Sequence, residues 1–356
     1  MFQKGLKDVV AVHTKIASVD GEKGELRYRG VKVDELINEG TFEDIASFLW
    51  SGERANTSLA SLKEYRVLPN HIIAIIDALP SDVSLMDAMR TAISAFAHTE
   101  FKEKTLEEQA VILTAALPVI IARHYRNQKG LPIVEPKQEL NHTANYLWML
   151  NGAVPTDVQV EALETYLKLT MEHGLNASTF AARVTISTES DLTAAVTSAL
   201  GTMKGPLHGG APSGVISLLN EFKNPTMIRD IVRDKITSGE KIMGFGHRIY
   251  KTEDPRSILL RDKCLNLQGK DPWLDIATIA EKEIIELLAE HKPGRKLYTN
   301  VEYYAAAIMR SIDMPAELFT PTFSAARMVG WTAHAIEQIR DNTIFRPQSI
   351  YVGELK

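Results

Sequence analysis

The stretch from Met243 to Arg256, MGFGHRIYKTEDPR, gathers residue types that do chemistry. Gly244 and Gly246 flank Phe245 and lead into His247; Arg248, Lys251 and Arg256 follow. Glycine permits backbone angles and close ligand approach that other residues resist. A histidine just after such a turn can titrate near neutral pH and trade protons. Cations spaced along the following residues hold carboxylate or phosphate oxygens through charge-assisted bonds. The stretch alone reads as proton chemistry on an anionic substrate, or as a surface turn with a solvated basic face.

A second stretch, GPLHGGAPSG from Gly205 to Gly214, favours the chemical reading. It again sets a histidine among glycines, and the apolar run Val215 to Leu219 marks a helix start. His208 then lies near a helix N-terminus, whose positive dipole end disfavours the imidazolium form. A neutral imidazole there can donate a hydrogen bond to a carbonyl oxygen as charge builds on it, which stabilises a base-promoted enolisation.

The elements that must position these residues are mostly helical. Val9 to Tyr28 alternate around the turn signal Asp20-Gly21, which predicts a short hairpin. Beyond Asp34, apolar residues recur three and four apart in Phe42–Leu49, Ser84–Ala97, Leu106–Tyr125, Lys137–Leu150, Val158–Glu172, Ile276–Leu288, Tyr303–Ser311 and Phe323–His334. Pro118 is expected to kink the third of these. Ser178 and Thr179 are able to cap the helix after the break GLNAST. Lys270-Asp271-Pro272 and His291-Lys292-Pro293-Gly294 read as loops. The small residues of Ala194–Leu200 suggest a closely packed interface.

Composition sets outer bounds. A chain of 356 residues is expected to hold roughly two domains. Its 45 acidic residues exceed its 40 basic ones, for a formal charge of -5, and nothing supports bulk affinity for nucleic acid. Cys264 is the only cysteine, so an intrachain disulfide and Cys-based metal clusters are excluded; it reads as a small buried hydrophobe. The N-terminus lacks a signal-peptide pattern, and no apolar run approaches the ~20 residues that cross a bilayer. A soluble, cytoplasmic protein is expected.

The stretches KIASVDGEKGELRYRG, EHGLNAST, GPLHGG, GFGHRIYKTEDPR, TNVEYY, FSAARMVGWTAH and FRPQSIYVG, taken in order, resemble the citrate synthase family, of the short bacterial type that includes 2-methylcitrate synthases. The resemblance implies a mostly α fold. A large helical domain, residues 1–208 and 314–356, carries the dimer contact, and a smaller mobile domain that binds coenzyme A, residues 209–313, is inserted into it. It implies His208, His247 and Glu302 as catalytic residues, and His173, Arg256, Arg327 and Arg346 as ligands of oxaloacetate and citrate, Arg346 reaching in from the second subunit of a homodimer. Lys251, Arg295, Lys296 and Gly244 would bind coenzyme A. No metal and no cofactor beyond the CoA thioester substrate is implied.

Glu302 departs from the family pattern, which carries aspartate there as the base that takes a proton from acetyl-CoA. The extra methylene displaces the carboxylate by on the order of 1.5 Å, and a misplacement of ~1 Å can cost about a hundredfold in rate. A capping carboxylate at the helix start is the plain alternative. For the basic residues the alternatives are a solvated loop and surface ion pairing. The expected activity is a Claisen-type condensation of acetyl-CoA with oxaloacetate. The alternatives are propionyl-CoA giving 2-methylcitrate, a CoA- or citrate-binding sensor with weakened catalysis, and a helical scaffold without small-molecule chemistry.

Overall fold

The computed structural model describes residues 2–6, 8–54, 61–209, 211–265, 272–294 and 297–354. The chain opens with a hairpin of β1 (Ala17–Asp20) and β2 (Glu25–Tyr28), paired antiparallel from Ala17 opposite Tyr28 to Asp20 opposite Glu25. At the turn, Asp20 Oδ1 accepts from the N–H groups of Glu22 and Lys23. A short third strand, β3 (Val31–Lys32), pairs with β2. The hairpin is thus shorter than the alternation from Val9 suggests, and it gains a strand the pattern did not show.

Sixteen α-helices follow among the described residues. The first ten are α1 (Val33–Glu39), α2 (Phe42–Ser51), α3 (Asn70–Ala78), α4 (Leu85–Ser94), α5 (Thr99–Lys102), α6 (Leu106–Gln128), α7 (His142–Asn151), α8 (Asp157–Thr170), α9 (Ala177–Ser187) and α10 (Leu192–Met203). The remainder are α11 (Ala211–Glu221), α12 (Ile228–Thr237), α13 (Pro255–Leu265), α14 (Pro272–His291), α15 (Val301–Ser311) and α16 (Phe319–Arg340).

Helix ends follow side-chain caps more than apolar periodicity. Thr41, Thr105 and Thr156 each close a reciprocal capping box, with Asp44, Glu108 and Gln159 respectively. Three expectations fail for local reasons. Residues 137–140 are not helical: Asn141 caps α7, and Asn145 Oδ1 takes the Lys137 N–H at 2.8 Å. Asn176, not Ser178 or Thr179, caps α9, which puts both hydroxyl residues inside its first turn. Pro272 opens α14 instead of lying in a loop, because the first helical position needs no N–H. α6 also continues through Pro118 as one element, buried on all sides from Gln109 to Ala122.

α16 is the centre of the core. Trp331, Met328 and Val329 are completely buried, and the helix packs on α2, α4, α6, α8, α9 and α10. Trp50 Nε1 donates to Thr332 Oγ1 at 2.8 Å and Tyr146 OH meets Thr322 Oγ1 at 2.9 Å, so these four buried groups are paired across the core. Among the later helices, α11 and α13 pack on α15, and α12 on α14. They meet the central group where α13 and α15 touch α8 and where α11 touches α16.

The hairpin is tied to both groups. Tyr28 OH reaches the last carbonyls of α8, those of Lys168 and Leu169, at 3.1 Å, and Gly21 O accepts the Lys251 N–H at 2.8 Å. A Cβ at Gly21 would lie 2.3 Å from Ile249 O, a backbone atom that cannot step aside. Gly21→Ala is therefore expected to cost about 1–3 kcal/mol of stability, read as a lower denaturant midpoint, and to lower turnover by moving the 247–251 segment. An unchanged midpoint would show that this contact does not fix the segment.

Candidate active site

His247 follows a turn that is sewn to the start of α15. Phe245 and Thr299 form an isolated antiparallel bridge, Gly246 N donates to Tyr298 O at 2.8 Å, and Asn300 N donates to Gly244 O at 2.9 Å. Asn300 Nδ2 also reaches Gly246 O at 3.0 Å. Gly244 has φ +85°, and a Cβ there would meet Tyr303 Cδ2 and Val215 Cγ2 at 2.9 Å. Its glycine is required by packing and backbone shape.

The His247 tautomer follows from its neighbours. Nδ1 accepts the N–H groups of Ile249 at 3.0 Å and Tyr250 at 3.1 Å, so the proton sits on Nε2. Arg256 Nη2 lies 3.5 Å from that Nε2. Two donors so arranged converge on a common acceptor, as an anionic oxygen would provide. Burial, then the Arg256 charge, lowers the His247 pKa to about 4. His247 is thus a neutral N–H donor at pH 7, which corrects the expectation of a group titrating near neutrality.

Of the three cations after His247, only Arg256 turns inward; Arg248 and Lys251 are exposed. Asp254 holds the Arg256 guanidinium by two bonds, Nε to Oδ1 at 3.0 Å and Nη2 to Oδ2 at 2.8 Å. Asp254 Oδ2 also accepts the Val301 N–H at 3.2 Å, which ties Arg256 to the helix that bears Glu302. Burial opposes ionisation of Asp254, but the Arg256 charge and its hydrogen bonds outweigh this and hold the carboxyl below its usual value.

His173 ends the segment after α8, buried, with Nε2 3.1 Å from Tyr250 OH. Its ring lies 5.5 Å, centroid to centroid, from both His247 and Tyr250. Burial, then the Arg256 charge, keeps it neutral, well below the usual histidine value. Arg327, buried on α16, donates from Nε to Thr170 O at 2.7 Å and lies over the Phe323 ring at 4.7 Å. Its terminal nitrogens have no hydrogen-bond partner among the described residues. Glu172 beside it is completely buried and accepts from His334 Nε2 at 3.0 Å; Arg183 in turn donates to His334 Nδ1 at 3.0 Å.

His208 lies three residues before the start of α11. Its Nε2 accepts the Ser178 N–H at 3.3 Å and touches Ser178 Oγ at 2.8 Å, and Trp331 Nε1 donates to that Oγ at 3.0 Å. The proton is then on Nδ1, the donor left for a ligand. Burial, then the Arg327 charge, lowers the His208 pKa to about 4. The imidazole is neutral, as the sequence suggested, with burial and a neighbouring arginine as the leading causes.

Glu302 occupies the first turn of α15. The cap is Asn300, whose Oδ1 accepts the Glu302 N–H at 3.0 Å. The Glu302 carboxylate makes no hydrogen bond among the described residues. Burial raises its pKa above the ordinary glutamate value, with Arg256 and Lys241 acting in the opposite sense. A desolvated carboxylate free of partners has the attributes of a general base.

One set of expected residues thus converges: His173, His247, Arg256 and Arg327, with His208 under the Arg327 field and Glu302 under the Arg256 field. Lys251 is exposed, and Arg295 and Lys296 lie outside the described residues. Arg346 is exposed on an extended arm, its Nη1 3.5 Å from Pro347 O, and does not join the site of its own chain. A cavity of about 580 Å³ between α4 and α10 is lined by Arg90, Asp191, Thr193 and Thr197; it holds none of the converging histidines and arginines. Tyr250, Asp254 and Glu172 were not singled out in the sequence, and Ser178 was marked there only as a helix cap, not as a partner of His208. Of the first three only Asp254 had a local signal, an acidic residue before proline at a helix start.

The profile of the family described as citrate synthase, C-terminal domain, matches residues 5–348. The chain belongs to the citrate synthase family. The citrate synthase of Synechocystis is 35% identical, covering 99% of this chain and 91% of its own. A 2-methylcitrate synthase from Shewanella oneidensis is 36% identical over 98% of this chain and 94% of its own. Among solved structures, citrate synthase from Thermotoga maritima has TM-score 0.89 at 36% identity, covering 100% of this chain and 97% of that one. Citrate synthase from Thermoplasma acidophilum, in ternary complex with carboxymethyl coenzyme A and oxaloacetate, has TM-score 0.90 at 30% identity, covering 100% and 97%. The mostly α fold is thereby that of citrate synthases, and the chain is an acyltransferase of this family. No described helix is long and apolar enough to cross a membrane.

The depressed histidine pKa values make stability depend on pH. His208 and His247, each at about 4 when folded, bind protons near pH 6.5 once unfolded. Their contribution is complete above pH 6.5 and is lost as pH falls towards 4. Denaturant unfolding at pH 7.5 and pH 5 should therefore show a lower midpoint at pH 5, with a smaller difference in His247→Asn. A pH-independent midpoint would contradict the neutral assignment.

Proposed function

We propose that this enzyme condenses acetyl-CoA with oxaloacetate to give citrate and coenzyme A. The single observation that carries this is the pairing of two half-buried, neutral histidine donors, His208 and His247, with two buried guanidiniums and a desolvated carboxylate. Glu302 takes a proton from the methyl group of the thioester. His208 Nδ1–H donates to the thioester oxygen as it becomes enolic, and a preorganised donor in a desolvated site is worth most at that moment. The enolate carbon attacks the ketone of oxaloacetate, whose oxygen is met by His247 Nε2–H and Arg256. Arg327 and His173 orient the dicarboxylate, and the citryl thioester is then cleaved by water.

The proposal includes a homodimer in the cytoplasm, with Arg346 supplied by the partner copy. The arm that carries Arg346 leaves α16 with exposed residues and is anchored near its root, where Phe345 N donates to Ser187 Oγ at 3.2 Å and Asn342 Nδ2 donates to Ser187 O at 3.0 Å. It also includes closure of residues 209–313 over the substrates, since the enolate needs shelter from water. Lys251, with Arg295 and Lys296, would meet the phosphates of coenzyme A.

Propionyl-CoA is the competing acyl donor, and both kinds of relative match this chain at similar identity. One methylene discriminates by only ~1–3 kcal/mol in an apolar pocket. Nothing in the comparisons supports a sensor role, and a scaffold would have no use for paired buried arginines.

Thiol release from acetyl-CoA and propionyl-CoA, each with saturating oxaloacetate, tests the reading. Turnover with at least one is expected, and the faster substrate names the activity. Glu302→Gln should reduce turnover at least a hundredfold while oxaloacetate still raises the melting temperature. Silence with both thioesters from the folded wild type would overturn the proposal.

A further inference from the structure

Glu281 is a buried carboxylate that the condensation does not use. It lies on α14 and is 4% exposed. Oε1 accepts from the Thr299 hydroxyl at 2.7 Å, and Oε2 accepts from the Tyr304 hydroxyl at 2.5 Å. These two residues stand on either side of Glu302. Ser257, directly after Arg256, donates to Thr299 Oγ1 at 3.1 Å, so the chain of hydrogen bonds also reaches the start of α13. One turn earlier on α14, Ala277 O accepts from Tyr303 OH at 2.6 Å. Arg261 Nη1, 3.7 Å from Glu281 Oε1, supplies the opposite charge.

The arrangement matters because Glu302 has no side-chain anchor among the described residues. Its carboxylate is placed by its own torsions and by wherever the backbone starts α15. A glutamate has one more torsion than the aspartate expected at this position. Its reach is therefore useful only if the Cα beneath it is held still, since ~1 Å of misplacement can cost about a hundredfold in rate. Beside the backbone pairing to Gly244 and Gly246, three side chains hold that start: Asn300 Oδ1 on the Glu302 N–H, Asp254 on the Val301 N–H, and Glu281 on Thr299 and Tyr304 together. Of these side chains only Glu281 reaches over from a helix, α14, that carries none of the reacting groups. Burial, then the charge of Glu281, raises the Tyr304 pKa far above that of free tyrosine, so its hydroxyl keeps the proton it donates.

We propose that Glu281 is a positioning residue for proton abstraction, a clamp that fixes the start of α15 and with it the reach of Glu302. This rests on Glu302 being the base. It acts on the chemical step and leaves the oxaloacetate site, built from His173, His247, Arg256 and Arg327, in place.

The test is steady-state kinetics on the intact enzyme with Glu281→Gln, Tyr304→Phe and Thr299→Val, each alone and combined with Glu302→Gln. Glu281→Gln should lower kcat tenfold or more with the oxaloacetate KM within about twofold, and each hydroxyl deletion should lower kcat by less. In the Glu302→Gln background the same changes should have no further effect on residual turnover, because the group they position is already gone. The hydroxyl deletions keep the test open should Glu281→Gln fail to fold. An unchanged kcat in all folded variants would overturn the proposal, as would a fall in kcat matched by a rise in the oxaloacetate KM. Full turnover of Glu302→Gln itself would instead remove the base assignment, an outcome separable from failure of the clamp.

Discussion

The site depends on one short piece of backbone pairing, the bridge between Phe245 and Thr299 with its flanking bonds to Gly244 and Gly246. Neither segment is part of a sheet, yet the pairing sets the His247 turn against the first turn of α15. Asp254 reinforces it by holding Arg256 with both carboxylate oxygens while Oδ2 also accepts the Val301 N–H. The turn that bears His247 and the start of the helix that bears Glu302 are thereby fixed relative to one another by backbone. The hairpin supports this from outside, through Gly21 O on the Lys251 N–H and Tyr28 OH on the end of α8.

Electrostatics follow from the same packing. Burial first, and then the charges of Arg256 and Arg327, lower the pKa values of His173, His247 and His208. Asp254 compensates Arg256 directly, whereas Glu172 faces Arg327 and is itself engaged by His334. A site with cationic character and neutral histidines favours an anionic, carbonyl-bearing ligand and stabilises negative charge as it develops on oxygen. Glu302 sits at the edge of this field, desolvated, where burial raises its proton affinity.

Much of the site was legible in the sequence because its residue types are unusual for their surroundings. His208 and His247 stand among glycines, and Arg327 stands in an apolar helix where a guanidinium needs a reason. Their partners were not legible. Tyr250 meets His173, and Ser178 meets His208, only through folding contacts between distant stretches, and no local pattern marks either. Helix ends failed where asparagine did the capping, at Asn141 and Asn176, and Pro272 was mistaken for a loop residue although proline suits a first helical position. Pro118 shows the converse, a breaker accommodated inside a helix by tertiary packing. Arg346 cannot be placed at a site by one chain when its reading requires a second copy.

The proposed base-promoted enolisation by Glu302 and His208 is most directly read from exchange of the acetyl-CoA methyl hydrogens with deuterated water. A four-carbon 2-hydroxy dicarboxylate would fill the oxaloacetate site without offering a ketone to attack. Exchange should occur in the wild type with that dicarboxylate bound, and should fall at least a hundredfold in both Glu302→Gln and His208→Ala. Exchange at the wild-type rate in Glu302→Gln would contradict the assignment of the base and, with it, the reason for the pairing that organises the site.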